Sequence, residues 1–71
     1  MEMTKHESVI LRTSLLKEVG HALKRISNQY CNITGDKDWL ETDYEWMKTE
    51  IARIEKRLNR AEELQQFEEQ G

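Results

Sequence analysis

Seventy-one residues make one small domain, and a chain this short buries only about 60% of its unfolded surface, so a partner or a second copy is expected to complete its core. Charged residues are 35% of the chain against 37% hydrophobic and there is no proline, which together indicate long helices or a coiled coil. The net charge of −3 is too mild for a polyanion-binding protein or a disordered acidic tail, and the single cysteine, Cys31, has no internal partner, as befits a reducing, cytoplasmic setting.

The N-terminus, Met1 to Glu7, leads into a brief apolar run, Val9-Ile10-Leu11, that Arg12 ends. Neither a signal peptide nor a membrane span is expected from it. Thr4-Lys5-His6-Glu7 matches a capping box, so a first helix should begin near residue 5 and run to about 33. Its seam reads Val9, Arg12, Leu16, Val19, Leu23, Ile26, Tyr30 and Ile33, with only Arg12 off pattern. Ile10, Leu11, Leu15 and Ala22 widen the apolar surface beyond what one neighbouring helix covers, implying a partner or dimer interface there. Gly20, inside the helix, costs about 1 kcal/mol relative to alanine, and close approach of another helix would explain it as readily as a tolerated weak point.

The one strong break is 34–37, where Gly35 offers the left-handed conformation that stops a helix. Asp38-Trp39-Leu40-Glu41 then reads as a second capping box, starting a helix over about 38–67. That helix carries the main stripe, Leu40, Tyr44, Met47, Ile51, Ile54, Leu58 and Ala61, at steps of four and three. The late acids Glu62, Glu63, Glu68 and Glu69 oppose the helix dipole, so fraying is expected after Leu64.

Two helices of matched length across a short turn should pair antiparallel, giving an all-α helical hairpin, one domain over 1–71, that completes a four-helix bundle by dimerising or by docking a partner helix. The expected hairpin core is Leu16, Val19, Leu23, Ile26, Tyr30, Met47, Ile51, Ile54 and Leu58. Ile26 should face Met47, Val19 should face Ile54, and Leu16 should lie near Ala61.

Chemistry-bearing residues are sparse. His6, His21 and Cys31 are too far apart for a zinc site; His21 falls on the outer face, and Cys31 reads as a packing residue near the turn. Asp36, Asp38, Glu41 and Asp43 lack the glycine and bidentate glutamate of a calcium loop, and capping accounts for them. No catalytic residue, cofactor, metal, membrane or small-molecule substrate is expected. Arg53, Lys56, Arg57 and Arg60 share one face, the arrangement phosphate contact requires, but Glu50, Glu55, Glu62 and Glu63 are interspersed and no aromatic stands among them to stack a base. Trp39 and Trp46, seven residues apart, either cover the turn end of the hairpin or anchor a partner.

In layout the chain resembles the Rop-type plasmid RNA-binding dimers and, over most of its length, the small co-chaperones of type III secretion needle subunits. The second likeness rests on a long first helix, Gly35-Asp36 at the turn, and aromatics at Trp39, Tyr44 and Trp46. Short helical regulators of phages and plasmids are similar in layout too. The first resemblance implies RNA binding through the basic stripe; the second implies chaperoning of a partner helix. The residues themselves point to a non-enzymatic adaptor, small chaperone or regulator with an apolar working face.

Overall fold

Thr4 opens the first helix as a capping residue: its Oγ1 accepts the Glu7 N–H at 3.1 Å, and its own N–H donates to Glu7 Oε1 at 3.3 Å. Two orphan amides of the first turn are satisfied reciprocally. In this computed structural model, which describes residues 3–36 and 38–70, α1 spans Lys5–Asp36 and α2 spans Glu41–Gln70.

The expected stop of the first helix and start of the second are both displaced. α1 continues through Gly35, and no described residue has positive φ, so Gly35 is a helical residue rather than a left-handed cap. The side chain of Asp36 and all of Lys37, part of the expected turn, lie outside the described residues. The second cap forms at Leu40, not Asp38: Asp43 Oδ2 accepts the Leu40 N–H at 2.9 Å, while the Asp43 and Tyr44 amides donate to the Leu40 carbonyl. A carboxylate three residues in is what reaches back to the cap, and Asp43 stands in that relation to Leu40. Trp39 Nε1–H donates to Thr34 Oγ1 at 3.2 Å, fastening the connection to the end of α1.

The helices lie antiparallel. Arg12 pairs with Glu68, Glu18 with Arg57 and Arg25 with Glu50, so partners on α2 fall in number as those on α1 rise. The principal extents, 51 × 18 × 17 Å, are those of two rods side by side. Within them Val19, Ala22 and Ile54 form the buried cluster, with Ile26 packed against it.

Burial follows a seven-residue repeat on each helix, with Val9 half-buried outside it at the start of α1. On α1 it takes Ser8, Arg12, Leu15, Val19, Ala22, Ile26, Gln29 and Ile33; on α2 it takes Asp43, Met47, Glu50, Ile54, Arg57, Ala61, Leu64 and Glu68. Each helix has thus kept one expected column, Arg12-Val19-Ile26-Ile33 and Met47-Ile54-Ala61, and turned a different neighbouring column inward. On α1 small residues favour the choice, since Ser8 and Ala22 let the backbones approach.

The expected fraying beyond Leu64 gives way to a polar clasp. Ser8 is fully buried, and its hydroxyl is shared between the Leu64 carbonyl at 3.2 Å and Glu68 Oε2 at 2.9 Å. Arg12 meets the same carboxylate through Nε and a terminal nitrogen at 2.8 to 3.1 Å. The guanidinium, aided by the Ser8 hydroxyl, holds the Glu68 carboxyl below the usual carboxylate range, and Glu68 in turn raises Arg12. Burying an acid next to a helix C-terminus is unfavourable alone, and here a fork of donors from α1 compensates it.

Candidate interaction surface

The rotation of both helices leaves one long side of the hairpin apolar. Leu16, Leu23 and Tyr30 follow one another at seven-residue steps on α1, and Tyr44, Ile51 and Leu58 do so on α2. All six are exposed, Leu23 at 54% and Ile51 at 52%. Leu16 and Leu58 line a single groove with Ala61 and Gln65, rimmed by Glu62 and Glu69. At the other end Trp39 packs on both tyrosines, its ring centroid 6.2 Å from Tyr30 and 5.2 Å from Tyr44. Because the helices run oppositely at equal steps, Leu23 and Ile51 share the level between. Three levels of apolar pairs therefore stand on one side, with no charge among them.

The opposite side is charged. Leu15 lies at the bottom of a groove walled by Arg53, Lys56, Arg57 and Arg60, so the basic stripe is brought together as expected. Three of the four cations are ion-paired: Arg53 to Glu50 at 3.1 Å, Arg57 to Glu18 at 3.1 Å and Arg60 to Glu63 at 3.3 Å. Glu50, nearly buried, also faces Arg25 at 3.6 Å. Acids from both helices neutralise this wall locally.

The expected partner surface is dispersed. Ala22, at 2% exposure, is packed in the hairpin core with Val19 and Ile54, because its small side chain sits where the helices come closest. Leu15 is half-buried under the arginines, Ile10 points outward on the stripe of Lys17 and Lys24, and Leu11 flanks Glu18. Trp39 covers the turn end, while Trp46 stands exposed one heptad before Arg53. Conversely, Leu16, Leu23, Tyr30, Ile51 and Leu58, expected in the core, are exposed in the hairpin. Val19, Ile26, Met47 and Ile54 lie in the seam.

Gly20 meets nothing within the hairpin: a Cβ there would have open space within 4 Å. It belongs to the stripe Thr13-Gly20-Ser27, just outside Leu16 and Leu23. Sequence reasoning missed Ser8, Glu50 and Glu68 as interior residues. A signal existed for the clasp, since Arg12 broke the apolar seam and Glu68 continues the heptad of Met47, Ile54 and Ala61.

Among the described residues, no group of three or more His, Cys, Asp or Glu is placed to hold a metal ion, and no helix is long and apolar enough to cross a membrane. Cys31 is exposed and unpaired. Comparison with protein-family models, with curated proteins and with solved structures finds no match.

Proposed function

We propose that this chain is a non-enzymatic protein–protein interaction module, an adaptor, small chaperone or regulator, and that it works through the apolar side of its hairpin. The observation that supports this is the three-level row of Leu16, Leu23, Tyr30, Tyr44, Ile51 and Leu58, left open by a fold that buries their neighbours. Those six side chains expose on the order of 600 Å², at the upper end of the apolar patches on ordinary monomers and near the ~800 Å² per partner of a stable complex. Helical ligands are recognised by such rows through residues at heptad spacing, with burial supplying affinity.

The test is capture of a protein partner, another copy included, by the wild-type chain and by Leu23→Asp. Binding should persist in high salt and be lost in the variant, because desolvation rather than charge drives it. A chain that binds no protein, or binds equally well with Leu23→Asp, refutes the reading.

The second reading is Rop-like nucleic-acid binding. It draws on the groove that gathers Arg53, Lys56, Arg57 and Arg60, and it is weakened by the glutamates already paired to three of them. Affinity for RNA that falls steeply with salt and vanishes in Arg57→Glu would favour it over the first.

A further inference from the structure

We propose that the occupant of the apolar side is a second copy of this chain, two hairpins closing face to face with their turns at opposite ends to form an antiparallel four-helix bundle. This rests on the interaction reading above and names its partner.

The hairpin exposes 5803 Å², whereas a compact monomer of its 8.5 kDa exposes about 4,700 Å². The excess, roughly 1,000 Å², is comparable to the ~800 Å² that each partner of a stable dimer covers. A second hairpin lays one helix along the α1 column and one along the α2 column, so that it covers both.

The face is also complementary to itself. A two-fold axis through the level of Leu23 and Ile51, across the helices, lays Leu16 and Leu58 of one copy on Tyr30 and Tyr44 of the other. Smaller side chains then oppose larger ones at both outer levels, and Leu23 and Ile51 meet their own copies in the middle. The rims follow. Lys48 lies three residues before Ile51 and Glu55 four residues after it, both on the outer edge of α2, so the axis sets each Lys48 against Glu55 of the other copy. On α1 the same operation sets Gly20 against Ser27, where the open space around Gly20 admits the approaching helix. The like-charged Glu41 and Glu62 also meet across the axis, but only at the exposed rim, where salt screens them.

The test is sedimentation or light scattering, with circular dichroism to confirm helicity. The wild type should have the mass of two 8.5 kDa chains. Ile51→Asp, at an exposed position of the hairpin, should keep its helicity and weaken association at least 100-fold. Lys48→Glu and Glu55→Lys should each weaken it several-fold, and the double exchange should restore it. A wild-type monomer whose apolar side still takes up a hydrophobic dye, with uptake lost in Ile51→Asp, overturns the dimer while leaving the interaction reading intact. A monomer that takes up no dye overturns both. A dimer that the double exchange fails to restore overturns the proposed orientation.

Discussion

The two long sides of this hairpin flank one seam and differ in chemistry. One carries only apolar residues, Leu16, Leu23, Tyr30, Tyr44, Ile51 and Leu58, whereas the other mixes Glu18, Arg25, Arg53 and Arg60 with the exposed Leu11, Trp46 and Phe67, and Arg57 reaches it from the seam. On the charged side the long cations line a groove with the half-buried Leu15, and Arg53, Arg57 and Arg60 are paired to acids. On the apolar side Trp39 packs on Tyr30 and Tyr44, and all six residues of the row remain exposed. A charged side finished by solvent and an apolar side left exposed support the proposal that the first is an exterior and the second an interface.

The sharpest way to break that contrast is to compare two isoleucines three residues apart. Ile54 is buried in the seam, so Ile54→Ala should cost about 2–5 kcal/mol, which exceeds most of the stability a chain this small has. Circular dichroism should find helicity collapsed at room temperature. Ile51→Asp should instead leave a lone hairpin helical. Equal loss of helicity in both would mean that Ile51 is as interior to the hairpin as Ile54.

Next in size is the contrast between leucines on opposite sides. Leu23→Asp should shift the sedimenting species from two chains to one, whereas Leu15→Asp, seated beneath Arg53 and Arg57, should leave association unchanged. Loss of association in both variants would erase the distinction between the sides.

How far the sequence anticipated this arrangement is instructive. The hairpin, its antiparallel sense, the Thr4 cap and the meeting of Val19 with Ile54 were legible because apolar periodicity and capping chemistry act locally. The rotation of the helices was not. Columns 9/16/23/30 and 8/15/22/29 flank the same seam, and counting apolar residues favours the first. Close packing favours the second, because Ser8 and Ala22 admit α2 more closely than Leu16 and Leu23 would. The position of the Leu40 cap depends on which of Glu41 and Asp43 reaches back, which residue identity alone leaves open.

A smaller effect belongs to the clasp at the open end. Glu68→Gln should lower the melting temperature by several degrees and speed amide exchange in the last turn of α2, with Ser8 and Arg12 left short of a partner. Its pH dependence has a definite sign. The carboxyl is held below its ordinary value, about 4.3, in the folded chain, so its contribution is full above that pH and is lost as pH falls through the lowered value. The Arg12 shift is upward and leaves that side chain charged throughout, adding nothing to this slope. Melting curves from pH 7 to pH 3 should converge for wild type and Glu68→Gln at the acid end. Parallel curves would mean that Glu68 gains nothing from Arg12.

The smallest effect is expected on the charged side, and its smallness is the point. Arg57 Nε lies 3.1 Å from Glu18 Oε2, with the Arg57 side chain about a third exposed and that of Glu18 more than half. Ion pairs so placed contribute about 0–1 kcal/mol, since water screens the attraction and two long side chains lose freedom. Arg57→Glu removes the pair and sets two acids together, so its cost should be no more than ~1 kcal/mol at low salt, shrinking as salt rises. Chemical denaturation at two salt concentrations measures it, and association should be unaffected. A cost above about 2 kcal/mol, insensitive to salt, would show that this wall holds the hairpin together by packing, as the seam does. The charged side would then be interior rather than exterior, and the apolar side would lose its claim to be the surface awaiting a partner.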